Sequence, residues 1–259
     1  MTLNRMFEKK QVVFGPFLKL PNPALVEIIG IAGFDFVIID CEHGPLDMLV
    51  AEEMVRAAKL SGLSAVIRVS ENNPALISRA LDIGADAVQV PQVSTRTDAE
   101  KVVQAAKFAP LGERGVCRYV RAAGYSSVDR QAYFTLANQN TRTIIHIEGE
   151  EGMENIQDIL QVEGIDVIFI GPYDLSQSLG LPGQVDHPLV VARMREIIDR
   201  AREAGKIVGT FVDDVDAARK WLALGVQYIA YSVDTGIIYQ SFKEIADSLY
   251  QGVGDEGNA

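Results

Sequence analysis

Short apolar, β-branched runs recur eight times along this 259-residue chain, each separated from the next by a stretch of helical periodicity, and that alternation constrains the fold more than any other feature. The runs are Val12–Phe17, Phe36–Asp40, Ala65–Val69, Ala87–Pro91, Thr143–Glu148, Val167–Gly171, Ile207–Val212 and Tyr228–Val233. Most lack polar alternation, the pattern of strands covered on both faces, so they predict a parallel sheet whose connections are helices. The intervening segments carry helix punctuation. Asn22-Pro23 and Asn73-Pro74 each offer a capping side chain followed by a first-turn proline, while Thr97 or Asp98, Glu151 and Asp214 open further helices. Gly164, Gly205 and Gly225 stand where helix ends need a left-handed residue.

Eight strand–helix units in a chain of this length predict an α/β fold, the closed (β/α)8 TIM barrel, as a single domain over residues 1–259. The competitor is a doubly wound open sheet. Its nucleotide-binding forms need GxGxxG after the first strand, and that turn here reads Phe17-Leu18-Lys19-Leu20-Pro21. Two stretches break the rhythm, 108–142 and 172–187, and segments of that length commonly carry function or bury an interface. Residues 251–259 read as a disordered tail. With 24 Lys and Arg against 35 Asp and Glu, a net charge of −11 and no basic cluster, the chain excludes nucleic acid and an anionic membrane surface as partners. Its two cysteines supply neither a disulfide framework nor a zinc site. MTLNRMFEKKQ lacks the apolar stretch of a secretory signal, and no apolar run approaches the ~18 residues needed to span a bilayer, so a cytoplasmic protein is expected.

Barrels place their working groups at the C-terminal ends of the strands. There the chain presents Asp40-Cys41-Glu42-His43, Arg68, Gln89 with Gln92, His146-Ile147-Glu148, and Gly171-Pro172-Tyr173-Asp174. Glu148 and Asp174 end adjacent strands, and two carboxylates completed by water suit Mg²⁺ or Mn²⁺ better than zinc; helix capping or pairing with an arginine is the structural alternative. His43 lies in a polar turn suited to a general base. Arg68 ends an apolar strand, where a buried guanidinium needs an anion: a substrate oxygen, or Asp40, Glu42 or Glu148. The Gly-Pro turn at 171–172 frees backbone N–H groups at a helix start, a weak signal for a small carboxylate or phosphate. A Schiff-base mechanism lacks a strand-end lysine, since Lys206 precedes its strand and only Lys19, on a loop, is placed for it. Asp213-Asp214-Val215-Asp216 after the seventh strand repels a phosphate. Cys41 reads as a small buried filler rather than a nucleophile.

The stretches AGFDFVIIDCEHGP, VIRVSENNPALISRALDIGADAVQVP, FAPLGERGV and GIDVIFIGPYDLSQSLG resemble the HpcH/HpaI family of metal-dependent class II pyruvate aldolases, over about residues 11–248. The resemblance implies a barrel of the pyruvate-binding type and a C–C lyase that cleaves a 4-hydroxy-2-oxo acid to pyruvate and an aldehyde through a metal-stabilised enolate. It implies a divalent cation, Mg²⁺, Mn²⁺ or Co²⁺, held by Glu148 and Asp174. Arg68 would bind the keto oxygen, and His43 would move the proton, oriented by Asp40 or by Asp82 from the same or a neighbouring subunit. Backbone amides of Gly171, Pro172-Tyr173 and Asp174 would receive the substrate carboxylate. His146 departs from the pattern, since the family usually carries glutamine there. It would hydrogen-bond a metal-held water, become a third ligand, or only pack in its strand. The family's oligomers, commonly hexamers, exchange their C-terminal helices. Ile237, Ile238, Phe242, Ile245, Ala246 and Leu249 form a stripe on the helix at about 235–250 that would serve such an exchange or pack on its own barrel. The nearest alternatives are an acyl-CoA lyase of the citramalyl- or malyl-CoA type, for which a basic lobe is wanting, and a non-catalytic barrel that binds an oxo acid.

Overall fold

A computed structural model describes residues 3, 9 and 11–251. Eight parallel strands close into a barrel in sequence order, β1 (Val13–Leu18), β2 (Phe36–Asp40), β3 (Ser64–Arg68), β4 (Ala87–Val90), β5 (Arg142–Ile147), β6 (Val167–Ile170), β7 (Ile207–Val212) and β8 (Tyr228–Val233), with β8 pairing back onto β1. The eight apolar runs are these eight strands, displaced at their ends by no more than a residue or two. The barrel is a (β/α)8 TIM barrel.

Helices follow the strands as α1 (Pro23–Ile31), α2 (Met48–Leu60), α3 (Pro74–Asp82), α4 (Arg96–Ala106), α5 (Arg130–Asn140), the short α6 (Glu150–Glu154) and α7 (Ile156–Leu160), α8 (Pro172–Ser178), α9 (Pro188–Glu203), α10 (Val215–Ala223) and α11 (Asp234–Gln251). Asn22 and Asn73 accept from backbone N–H groups of the first turns they precede, as their Asn-Pro pairs predict. At α4 the cap lies two residues before Thr97 and three before Asp98. The cap is Thr95, whose side chain accepts from Asp98 N–H while Asp98 reaches back to the Thr95 N–H, a reciprocal pair that moves the helix start forward. The 108–142 segment is built rather than loose: a 3-10 turn over Arg121–Ser126, then α5, around a small core of Phe108, Ala123 and Tyr133.

Period-two geometry sorts the strand residues into two layers. Val37, Ile39, Ala65, Ile67, Val88, Ile145, Ile147, Ile168 and Ile170 face the helices, whereas Phe36, Ile38, Val66, Ala87, Ile144, Val167, Phe169, Tyr228 and Ala230 fill the barrel interior. Extending the inward parity to the strand ends selects Asp40, Arg68, Gln89, His146 and Glu148. These polar side chains therefore crown the interior packing. Gly209 keeps that packing possible, because a Cβ there would fall 2.6 Å from the Tyr228 ring.

α11 contrasts with the other helices. Only Asp234 at its start is buried, while Phe242 (69%), Ile245 (57%) and Leu249 (67%) lie open to solvent. Residues 252–259, which hold most of the expected disordered tail, lie outside the described residues. No helix among the described residues is long and apolar enough to cross a membrane.

Candidate active site

A cavity of about 400 Å³ opens at the C-terminal mouth of the barrel. Asp40, His43, Arg68, His146, Glu148, Gly171, Pro172, Tyr173 and Asp174, nine of the ten residues singled out from sequence, line it. Asp82 is the exception. It ends α3 and pairs with Arg114 (Nη2–Oδ1 2.5 Å), so within its own chain it does not reach His43. Glu148 and Asp174, which α6, α7 and β6 separate along the chain, share this one cavity.

Register dictates the central ion pair. β2 and β3 pair with Asp40 beside Arg68, both facing inward, and the guanidinium takes Asp40 bidentately, Nε–Oδ1 2.8 Å and Nη2–Oδ2 2.7 Å. Its Nη1 is ion-paired with Glu42 Oε2 at 2.9 Å, and the Phe17 ring lies under the guanidinium at 4.7 Å. The buried arginine thus meets two of the anions weighed for it while lining the cavity. Burial by itself would raise the Asp40 carboxyl. Arg68 and the backbone N–H groups of His43 and Glu42 outweigh it and hold Asp40 below the ordinary carboxylate range. For Glu42 burial wins over Arg68, and the carboxyl is raised.

These bonds revise the expected partner of His43. Asp40 accepts from the His43 backbone N–H at 3.2 Å, so it shapes the turn, while the carboxylate beside the imidazole is Glu42, at 3.8 Å from Nε2. The ring is 57% exposed and faces the cavity. Cys41, next to it, has a thiol pushed up to about 12 by burial and by Asp40, which fits a filler and not a nucleophile.

Glu148 is held on both oxygens. Oε1 accepts from Gln92 N–H at 2.8 Å, and Oε2 faces His146 Nδ1 at 2.9 Å. Gln92 delivers that N–H from a left-handed backbone (φ 55), a conformation costly for a residue with a Cβ and frequent at working sites. Burial would raise Glu148, but His146, the Gln92 amide and Arg68 together keep it below its ordinary range and hence ionised at neutral pH. Gly171 closes the wall: a Cβ there would stand 2.8 Å from Glu148 Oε2. On the rim, Tyr173 donates to Asp213 Oδ2 at 2.6 Å, and burial with that bond pushes its phenol up to about 12.

Among the described residues, no group of three or more His, Cys, Asp and Glu side chains is disposed to hold a metal ion. Two carboxylates, Glu148 and Asp174, line the same cavity. Such a set suits a hard cation that keeps several waters, and an ionised Glu148 fixed on both oxygens fits one. His146, stacked on Phe169 at 4.6 Å, turns its Nδ1 to Glu148 and its Nε2 to Gln89, so it packs as a support for the carboxylate. Sequence reading missed the double role of Glu42 and the seat of His146 on Gln89; the Asp-x-Glu spacing and the inward parity of Gln89 were the available signals.

The sequence profile of the HpcH/HpaI aldolase/citrate lyase family matches residues 13–241. The 5-keto-4-deoxy-D-glucarate aldolases of Shigella dysenteriae serotype 1 (strain Sd197) and of Escherichia coli O6:H1 are each 36% identical over 240 residues, 93% of this chain and 93% of theirs. An HpcH/HpaI aldolase/citrate lyase family protein from Burkholderia cenocepacia J2315 superimposes with a TM-score of 0.91 at 31% identity, covering 96% of this chain and 98% of that one. The citrate synthase SbnG does so with a TM-score of 0.88, also at 31% identity and with the same coverage. The chain belongs to the HpcH/HpaI aldolase/citrate lyase family and is a carbon–carbon lyase built on its barrel.

Proposed function

We propose that the chain is a divalent-cation-dependent aldolase that reversibly cleaves a 4-hydroxy-2-oxo acid to pyruvate and an aldehyde. The observation that carries this reading is the meeting of Glu148, Asp174, Arg68 and His43 around one cavity. Glu148 and Asp174 would hold the cation, Mg²⁺, Mn²⁺ or Co²⁺, and when bound it supplies Lewis-acid stabilisation of charge on a keto oxygen. Arg68, locked by Asp40 and Glu42, turns its other N–H groups to the same oxygen from a guanidinium that needs no reorganisation as charge develops. The N–H groups at the start of α8 receive the substrate carboxylate, and Pro172, which has none, fixes the turn that presents them. His43 carries the proton between the substrate hydroxyl or methyl and water. Within one chain its carboxylate neighbour is Glu42; a second copy would be needed to bring Asp82 to it.

The exposed Phe242, Ile245 and Leu249 stripe on α11 supports assembly with further copies of the chain, a hexamer with exchanged helices in this reading. The acyl-CoA reading is less well supported than cleavage to pyruvate, since the 36% identical relatives are named as aldolases.

The test is exchange of the pyruvate methyl protons for deuterium in the presence of Mn²⁺. Glu148→Ala should abolish it, and His43→Ala should slow it by about 10²- to 10⁴-fold while Mn²⁺ stays bound. Exchange at the wild-type rate in Glu148→Ala would remove that residue from the chemistry.

A further inference from the structure

Asp234, the buried first residue of α11, closes a contact between the two ends of the chain. Lys19 N–H donates to both of its carboxylate oxygens, at 3.1 and 3.0 Å, and Leu20 N–H donates to Oδ2 at 2.9 Å. Thr235 N–H adds a bond to Oδ1 at 2.7 Å. Hydrogen bonds to an ionised group are the strong ones, and at 3% exposure water competes little for this carboxylate. They fix the turn by which the chain leaves β1. The turn through His43 packs on the same backbone, since a Cβ at Gly44 would stand 3.4 Å from the Lys19 Cα. Lys19 is thus held from two sides.

Lys19 and Arg68 are the lysine and the arginine that line the cavity. Arg68 is committed to Asp40 and Glu42. No carboxylate of the described residues pairs with the half-buried Lys19, and Asp213 on the rim takes the Tyr173 hydroxyl instead. Strand order sets where this cation stands. Lys19 leaves β1 and Glu148 leaves β5, four strands away in a closed ring of eight, so the two occupy opposite walls of the mouth. His43 leaves β2, beside Lys19. A substrate with its keto oxygen at the Glu148 wall and its hydroxyl at His43 extends its remaining carbons toward the β1 wall.

We propose that Lys19, set in place by Asp234, is the residue by which the site selects its aldehyde, favouring one whose far end carries a carboxylate. An ammonium already stripped of part of its water gains from an anion what an uncharged chain cannot return. Asp234 touches no substrate and is a positioning residue that acts through Lys19. The inference rests on the aldolase reading given above.

The test measures kcat/KM of the full-length protein with Mn²⁺ and pyruvate for two aldehydes of equal length, succinic semialdehyde, which is anionic, and butanal, which is uncharged. The wild type should prefer the anionic one. Lys19→Met should lower the ratio of the two values on the order of tenfold to a hundredfold, mainly through KM, and Lys19→Arg should restore most of it. Asp234→Asn should erode the same ratio and add nothing to it in the Lys19→Met background, whereas a merely structural role would depress both aldehydes alike. A wild type that prefers butanal overturns the proposal, as does a ratio unmoved by Lys19→Met. Inactivation by borohydride that requires pyruvate and disappears in Lys19→Met also overturns it, by marking Lys19 as an imine-forming residue. Wild-type protein that exchanges the pyruvate methyl protons with Mn²⁺ but shows no dependence of aldehyde preference on Lys19 sinks this inference alone. Absence of that exchange sinks the aldolase reading beneath it.

Discussion

Replacing Gly171 by alanine isolates the placement of Glu148 from every other property of the site. Gly171 has φ −85 and ψ 97, a conformation open to any residue, so the new methyl group brings no backbone strain. Its nearest neighbours all belong to Glu148: its Cβ would lie 2.8 Å from Oε2 and 3.1 Å from the Glu148 Cβ. Ordinary carbon contacts begin near ~3.5 Å, so the carboxylate must retreat by roughly 0.7 Å. It cannot do so freely, because Gln92 N–H and His146 hold its two oxygens at 2.8 and 2.9 Å. One of those charge-assisted bonds gives way, at about 1.5–3 kcal/mol, offset by about 0.4–1 kcal/mol from stiffening the unfolded chain. The fold therefore survives with a net loss of roughly 1–2 kcal/mol. A binding group displaced beyond the ~0.5 Å tolerance of a working site should bind cation 10- to 100-fold more weakly, on the order of 1.4–2.7 kcal/mol. Mn²⁺ titration followed by electron paramagnetic resonance measures the affinity, and thermal unfolding in chelator measures the fold. A Gly171→Ala protein that melts like wild type and binds Mn²⁺ within twofold of it would refute the argument that this contact places the cation ligand.

Two further outcomes follow from the same geometry. Asp40 titrates below its ordinary range in the folded protein, so its contribution to stability is present above the unfolded value of about 3.9 and is lost as pH falls through the lower folded value; urea midpoints below about pH 4 should decline less steeply in Asp40→Asn, and parallel profiles would contradict it. The double variant Phe242→Glu, Ile245→Glu should keep its far-ultraviolet circular dichroism and shift to a smaller species by light scattering, whereas an unchanged mass would show that α11 does not mediate assembly.

The barrel was legible because its strands are fully covered and therefore written as unbroken apolar runs, and because Asn-Pro pairs and glycines mark helix ends by local chemistry. That Asp40, Arg68, His146 and Glu148 stand at the strand ends was legible for the same reason. Choices made at a distance were not. Arg68 offered three candidate carboxylates, and only the register of β2 against β3 and the turn through Glu42 decide that it takes Asp40 and Glu42 together. Gln89 and Tyr228 meet across the closed barrel, 139 residues apart, a contact that no local pattern encodes. Asp82 is read from sequence as a candidate near His43, yet the 108–142 segment folds so that Arg114 claims it. Helix α4 starts from Thr95 rather than Thr97 or Asp98 because a reciprocal cap depends on backbone entry, which spacing alone does not reveal.

The sorting of strand residues by parity has a consequence for how this enzyme can fail. Its reactive side chains are successive teeth of the same hydrogen-bonded ladder that closes the barrel, so sliding β5 by one residue would retire His146 and Glu148 and turn Ile147 to the mouth. Chemistry and architecture share one alignment here. Heat or denaturant that loosens the staves should extinguish turnover and collapse the vessel in a single event, leaving no intact but inert barrel behind.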